Sequence, residues 1–537
     1  MVDTSGTGTK SRGRIQRWVD GSRSVRMAVV GYDDVSTRFA RSFVGHGWRT
    51  IRRWLPDSRF YGWLTADVSA TSTFGSYSYH ARAWLFVLLG MMILGIVAAT
   101  RFLTPWIGVV ALALGVSLFG LRQYWRGNTL LALLAAGYLF RLGIVVLNFR
   151  LGVLTQPDIS ISHHERAMAL ADAWLSGQLG GVLETGTMER LVAYTHAPFY
   201  LVFGRWQLAG ELGTAFYGTA IGYVTYAIAK QVTTRRNAVL AAGAVVFWPS
   251  IVYRSVVIQR EVLVALSMLT TVWVALRLTQ PNRLYEHFPE EDVWRTAHWT
   301  KRLPATDIAL LLVAVGVIYI TRKENLAVVG ISLVVALALR NRDVPWRFVV
   351  VGGLLLPVLA YFTLNFADFV GGSTALTPAG LDRFAHLRAR GGSAYLTDLH
   401  YRSWLDIALY APVKIVYFLF SPLPWQVDSL TDLLAGVSGW GLFVATLLSG
   451  RGFVLLRAHP EKRATLAAYA ISGITAYAII EMNSGAAFRR RIQFVPIILL
   501  LAVVALTSVS FRQRSDQATR ESIVSAETES TTTMRRD

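Results

Sequence analysis

TLLALLAAGYLFRLGIVVLNF, Thr129–Phe149, is an almost unbroken apolar run whose single charge, Arg141, falls in its middle. At 1.5 Å per residue such a helix rises about 30 Å, the thickness of a bilayer's hydrocarbon core, and a soluble domain has little use for an apolar segment of that length. The run is one of many. The chain has 537 residues, 53% of them hydrophobic and only 16% charged, with a mean hydropathy of +0.42. Ordinary soluble domains carry about 25% charged residues. Hydropathy places twelve spans: Ala83–Ala99, Leu103–Leu121, Thr129–Phe149, Leu212–Ala229, Ala238–Tyr253, Val262–Leu278, Ala305–Ile320, Leu326–Leu339, Phe348–Phe366, Leu433–Leu448, Ala464–Ile480 and Ile492–Val509. The expected fold class is therefore an all-α integral membrane protein of about twelve transmembrane helices, in which the bundle occupies residues 83–511. The spans around Val313 and Val329 are short and suit tilted or broken helices. No internal repeat is visible.

The flanks differ in composition. Residues 1–82 hold 13 Lys/Arg against 6 Asp/Glu and no long apolar run, so they read as a basic cytoplasmic region. Within it Phe39, Phe43, Trp48, Ile51 and Leu55 recur among arginines at roughly helical spacing, which suits either a helix lying on an anionic leaflet or a loosely ordered basic tail. Residues 512–537 are polar and read as a disordered cytoplasmic tail. With no cysteine, disulfides, thiolate catalysis and cysteine-bound zinc are excluded. A net charge of +20 would suggest nucleic acid in a soluble protein, but here it first reflects cytoplasmic loops obeying the positive-inside rule, and no nucleic acid partner is implied.

That rule fixes the expected orientation in the cell membrane, with both termini cytoplasmic. The clusters Arg122/Arg126, Lys230/Arg235/Arg236, Arg283/Arg295/Lys301/Arg302, Arg340/Arg342/Arg347, Arg451/Arg457/Lys462/Arg463 and Arg512/Arg514 all face inward. Parity then requires that the apolar stretches Leu191–Leu208 and Ile407–Trp425 do not cross. They belong to two long extracytoplasmic segments, residues 150–211 and 367–432, as amphipathic or re-entrant helices.

Three short outer turns break the rule: Arg254 and Arg260 with Glu261, Arg322 and Lys323 with Glu324, and Arg489, Arg490 and Arg491; Lys414 lies in the second long segment. One arginine near a membrane interface is ordinarily snorkelling. Three turns carrying the same exception point to an anionic, lipid-linked substrate, because guanidinium presents a planar fork of donors to phosphate oxygens. Arg141 needs a partner inside the bundle, and structural pairing and function suit it equally. In the first outer segment, Ala167, Leu170, Ala171, Trp174 and Leu175 give an amphipathic helix, and Ser162 with Glu165 have capping-box spacing. Asp158 has the position of a general base toward a hydroxyl, or of a turn-former after Pro157. The adjacent His163 and His164 point about 100° apart on a helix and cannot share a metal as an i, i+4 pair would; no metal ligand is assigned.

Taken together, Pro157-Asp158 with the following helix, Tyr194-Thr-His196-Ala-Pro-Phe-Tyr200, Trp248-Pro-Ser250 to Arg260-Glu261, Tyr319 to Glu324, and Asn483-Ser-Gly-Ala-Ala-Phe-Arg489-Arg490-Arg491 resemble the GT-C superfamily of polytopic glycosyltransferases, in particular the protein O-mannosyltransferases (family 39) and the Rgt-like branch. The resemblance covers roughly residues 129–509. It implies transfer of a sugar from a polyprenyl- or dolichyl-phosphate carrier to an extracytoplasmic acceptor (protein, lipid or polysaccharide) with inversion. It also implies Asp158 as catalytic base, Arg260, Arg322, Lys323, Arg489, Arg490, Arg491 and Arg254 on the donor phosphate, and His196, Glu261 and Lys414 as substrate-binding. No cofactor is required; a divalent cation stays open, although the first loop has no Asp-x-Asp. Two other readings stay open as well. An outer-face oligosaccharide polymerase or ligase would use the later outer segment, with Arg383, Arg388, Arg390, Gly391, Gly392, Asp398 and His400, and a lipid-linked glycan flippase would do no covalent chemistry.

Overall fold

In the computed structural model the described residues are 105–152, 154, 158–178, 187–279, 305–340, 376–389, 392–427 and 430–508. The basic region 1–82, its interfacial helix, the expected spans 83–99 and 348–366, and the tail 512–537 lie outside them. The described residues form helices joined by turns, with one isolated antiparallel bridge, Ala394 to Asn483. In chain order the helices are α1 (Pro105–Trp125), α2 (Thr129–Leu151), α3 (Asp158–Leu175), α4 (Thr187–Phe203), α5 (Gln207–Val232), α6 (Arg235–Val246), α7 (Pro249–Ser255), α8 (Arg260–Leu278), α9 (Ala305–Arg322), α10 (Asn325–Arg340), α11 (Pro378–Arg388), α12 (Trp404–Phe420), α13 (Leu430–Leu455), α14 (Pro460–Ile480), α15 (Ser484–Arg490) and α16 (Val495–Ser508).

Six helices are long and apolar enough to cross a bilayer, or eight if the bent pairs α6–α7 and α15–α16 each count as one span. The bends have local causes. Pro249 opens α7 and keeps Trp248 extended, which turns α7 by 58° from α6. The 3₁₀ turn Arg491–Gln493 accompanies the 63° bend before α16. Helix α5 has the length to span at 26 residues, but it is rich in glycine, threonine and tyrosine and is not one of the six. Of the two spans that hydropathy reads as short, α10 is the shorter helix, whereas α9 around Val313 is one of the six.

Three expectations need correction or refinement. The amphipathic helix α3 begins at Asp158, so Ser162 and Glu165 lie inside it and form no capping box. Asp158-Ile-Ser-Ile contains no breaker, and an acidic residue in the first turn complements the helix dipole. The stretch Leu191–Leu208 is two helices, with α4 ending at Phe203 and Gly204 (φ 84°) turning the chain into α5. The stretch Ile407–Trp425 begins as α12, which Ser403 and Asp406 start with a reciprocal capping box.

Among the described residues three buried apolar clusters hold the helices, the smallest of them around Leu381, Ile407 and Met482. One joins α5, α6, α8, α10, α12, α14 and α16 through residues such as Ile228, Val245, Leu269, Phe418, Tyr469 and Phe494. Another joins α1 to α5 through Val145, Leu170, Ala197 and Leu212. Arg141 is fully buried, and its partners inside the bundle are neutral: Nε donates to Ser255 Oγ at 2.7 Å and Nη1 to the Gly137 carbonyl at 3.1 Å. Gly218 makes room for this contact, since a Cβ there would overlap Ser255. The α8–α9 hairpin runs away from Arg260 and Arg322 to a pair at its other end, Arg277 Nε to Asp307 at 2.9 Å. At 19 residues α8 separates the two ends by about 27 Å.

Candidate functional site

The arginines that break the charge pattern sit at helix termini because a terminus is where the chain leaves its apolar stretch. Arg260 opens α8, Arg322 closes α9, Arg388 closes α11, and Arg489 and Arg490 close α15. The last of these helices is short and has its own start signal, Asn483 Oδ1 accepting from Ala486 N at 3.0 Å. Backbone bonds then tie its approach to the segment between α11 and α12: Tyr395 N to Met482 O and Ser484 N to Ser393 O, both 2.9 Å.

These termini converge on one cavity of about 410 Å³ lined by His163, Gln259, Arg260, Glu261, Arg322, Arg388, Arg489 and Arg490. Arg322 bridges two carboxylates, donating to Glu261 Oε1 and Glu324 Oε1 at 3.2 Å each. Arg260 Nε lies 4.0 Å from the same Glu261 oxygen. On the other side Glu481, fully buried at the end of α14, receives a hydrogen bond from Arg490 and faces Arg388 Nη1 at 3.6 Å. Burial raises the Glu481 carboxyl to about 7, against the pull of Arg388, Arg489, Arg322 and Lys414, and its Oε1 has no hydrogen-bond partner. Burial likewise lowers the Arg388 guanidinium below its usual value. Arg322 Nε, Arg388 Nη1 and Gln259 Nε2 are buried donors with no hydrogen bond among the described residues. An unsatisfied buried donor costs about 1–3 kcal/mol, so an anionic acceptor entering this cavity would offset part of that cost.

A second, apolar hollow of about 350 Å³ lies beside it, lined among others by Phe140, Ile144, Leu154, Phe247, Val252, Tyr253, Arg254 and Phe488. The link between the two is Arg254, whose Nη1 donates at 3.2 Å to Oε1 of Gln259, a residue of the cationic wall. Its guanidinium rests against Tyr253 and Phe488 at 5.0 and 4.9 Å from the ring centres.

Of the residues singled out from sequence, the structure brings Arg260, Glu261, Arg322, Arg489 and Arg490 onto one cavity and Arg254 next to it. It does not bring the others. Arg491 turns inward, donating through Nη1 to the Leu419 and Ser421 carbonyls at 2.7 and 2.6 Å and through Nη2 to Ala435 O at 3.2 Å, which pins the end of α12 to α13. Lys323 is not on the lining. His196 is fully buried between α4 and α5, with Nε2 3.0 Å from Thr214 Oγ1 and Nδ1 2.9 Å from Val192 O, a core histidine. Lys414 is also fully buried, donating to Ile479 O at 2.8 Å beneath the Tyr401 ring, and supports the segment that carries Glu481. Asp158 opens α3, five residues before the cavity residue His163, or about 7.5 Å along the axis.

Arg388, Gln259, His163 and Glu481 were not assigned to the transferase site from sequence. Glu481 had a signal, a carboxylate directly after the span Ala464–Ile480 on the side where the arginines gather. Arg388 had none within its own neighbourhood, since its place depends on how α11 packs against the end of α14.

No protein-family model matches the chain, and no curated sequence matches it. Solved structures of the oligosaccharyltransferase of Archaeoglobus fulgidus are similar to it. One, AglB in complex with an inhibitory peptide and a dolichol-phosphate, has a TM-score of 0.40 at 14% identity, with 74% of this chain and 52% of that chain covered. The apo form gives 0.38 at 14% identity, with 73% and 52% covered. The form tethered to an acceptor peptide gives 0.36, also at 14% identity, with 71% and 50% covered. The chain thus spans about half the length of the structures it matches.

Proposed function

We propose that the chain is a membrane glycosyltransferase of GT-C type that moves a sugar from a polyprenyl- or dolichyl-phosphate carrier to an acceptor hydroxyl on the extracytoplasmic face, with inversion. One observation carries this reading: a cavity walled by five arginines, with unsatisfied donors in that wall, adjoining an apolar hollow. A phosphate joined to a long hydrocarbon chain needs those two environments side by side.

In the proposed step the acceptor atom attacks the anomeric carbon, its proton passes to Asp158, and the bond from that carbon to the phosphate oxygen breaks with its electron pair left on the phosphate. Charge therefore grows on the leaving group as the sugar takes on oxocarbenium character. Donors already fixed around the phosphate stabilise the transition state more than the ground state, which is the condition for lowering the barrier. Arg260, Arg322, Arg388, Arg489 and Arg490 are the candidates for that role. Glu261 and Glu481 hold the guanidinium groups apart and in orientation.

The test is a donor screen of the purified protein in nanodiscs with polyprenyl-phosphate sugars, reading released lipid phosphate. Asp158→Asn should abolish transfer and leave lipid-phosphate binding largely intact; full turnover in this variant rules Asp158 out as base. One observation favours a second reading, a polymerase or ligase with a lipid-diphosphate donor: Arg388, from the later outer segment, lines the same cavity. Turnover of diphosphate-linked and not monophosphate-linked donors in the same screen would decide for it.

A further inference from the structure

Asp382 and His386 are one helical turn apart on α11, on the same face, and His400 returns to them from the following segment. The three offer donor atoms that all lie within 4.8 Å of one another. His400 Nδ1 is 3.2 Å from Asp382 Oδ2, and the His386 and His400 rings stack in parallel with centres 4.5 Å apart. The other carboxylate oxygen, Oδ1, accepts from Tyr401 N at 2.8 Å and lies 3.5 Å from His386 Nδ1, so the carboxylate faces both histidines.

His386 poses the chemical problem. Its Nδ1 is 2.8 Å from the Asp382 carbonyl oxygen and its Nε2 is 2.9 Å from the Thr397 carbonyl oxygen. A neutral imidazole carries one N–H, so one of these nitrogens turns a lone pair on an oxygen. A cation among Asp382 Oδ2, the two imidazoles and nearby carbonyl oxygens removes that mismatch. Two imidazoles and one carboxylate are the ligand set of zinc-like divalent ions, and the backbone N–H on Oδ1 is the outer-shell contact that orients such a ligand.

We propose that Asp382, His386 and His400 form a divalent transition-metal site, of Zn²⁺ type, outside the arginine cavity and independent of the transfer reaction. Ligands on one tetrahedral ion at about 2.1 Å sit about 3.4 Å apart, so the three donors must close by about 1 Å, within reach of side-chain rotation in partly exposed groups. The remaining position is left to water or to the Thr397 carbonyl. The ion joins α11 to the segment that carries Ala394, Tyr395 and Tyr401, whose backbone and hydroxyl bonds reach Met482 and Ile479. It is thus a structural clip, and Arg388, two residues beyond His386, is held in the cavity wall by the same helix.

The experiment uses the full chain, with any polyhistidine tag removed and metal stripped by chelator. Cobalt(II) is titrated in while visible absorption is followed, and Zn²⁺ binding is read by competition and by thermal unfolding. The expected result is one saturable equivalent per chain, with a tetrahedral cobalt spectrum, and a rise in Tm on adding Zn²⁺. His386→Ala and His400→Ala should each weaken binding by at least about 10-fold and Asp382→Asn by about 10-fold, while His163→Ala leaves it unchanged. Equal binding in His386→Ala and wild type overturns the site. So does a wild-type chain whose Tm responds to neither chelator nor Zn²⁺, a result that needs no variant to fold.

Discussion

Replacing Arg322 by Met tests whether the arginine wall is chemistry or only architecture, because the two roles separate in a double variant. In the folded chain the Arg322 guanidinium lies 3.2 Å from both Glu261 and Glu324, and the Glu261 side chain is only 9% exposed. Removing Arg322 leaves that carboxylate with Arg260 as its ion-pair partner at 4.0 Å. Breaking a buried pair by deleting one member costs about 3–5 kcal/mol, chiefly through the charge left behind. Arg322→Met should therefore lower thermal stability sharply. Adding Glu261→Gln removes the stranded charge and should restore most of that loss. Turnover should behave differently. A guanidinium touching a phosphate at about 4 Å, at an effective dielectric of about 20, contributes up to about 4 kcal/mol as the leaving group ionises, or about 10³ in rate. The Glu261→Gln/Arg322→Met protein should then be stable and still about 10²–10³ slower than wild type in single-turnover release of lipid phosphate. If the double variant recovers turnover along with stability, Arg322 is a strut and the proposed role fails.

Three further outcomes follow from the same geometry. Arg260→Gln should cost at least about 10² in turnover with a change in stability under about 1 kcal/mol, checked by parallel unfolding and single-turnover assays. The raised Glu481 carboxyl makes its ionised form the unfavourable one in the folded state, so its contribution to stability is complete below the usual 4.5 and lost as pH rises through about 7. Binding of a phosphodiester lipid, which keeps one charge over this range, should accordingly tighten as pH falls from about 8 to about 6, with Arg490 and Arg388 released from the carboxylate, and Glu481→Gln should show the low-pH affinity throughout. Gly452→Ala should destabilise the bundle by more than about 1–3 kcal/mol, since a Cβ there runs into the Leu501 backbone of α16; an unchanged Tm would show that α13 and α16 do not pack this closely.

Much of the fold was legible because lipid leaves few options. An apolar run such as Thr129–Phe149 can satisfy its backbone only as a helix, and its ends are marked by Asn128, whose side chain accepts from Leu131 N, and by Gly152 in the left-handed region at φ 60°. Charge was legible for a related reason: Arg260, Arg322 and Arg490 stood out because each broke the positive-inside pattern, and each lines the cavity. What the pattern could not supply was direction. Arg491 is adjacent to Arg490 in sequence, yet the turn through Arg491–Gln493 swings its side chain onto the carbonyls of Leu419 and Ser421, so one residue of register separates a wall of the site from a clamp in the core. His196 looked like a site residue from its surrounding motif, while its partners, Val192 and Thr214, come from helical spacing and from a neighbouring helix respectively. Lys414 similarly has its explanation in Ile479, 65 residues away.

Position along a helix ranks the arginines that remain. Arg322, Arg388, Arg489 and Arg490 all lie in the last turns of α9, α11 and α15, where the negative end of the helix dipole favours a cation by about 0.3–1 kcal/mol whether or not any substrate exists. Their placement is thus partly explained by local electrostatics alone. Arg260 is the reverse case. It is the first residue of α8, where the dipole disfavours a cation, and its side chain keeps 23% exposure on the cavity. Glu261 next to it suits that helix end and lies within 4.0 Å, but Glu261 already pairs with Arg322 at the shorter distance of 3.2 Å. A guanidinium held against the dipole gains from an incoming phosphate what its own helix end does not give it. Arg260 is therefore the residue whose loss should separate turnover from stability most cleanly.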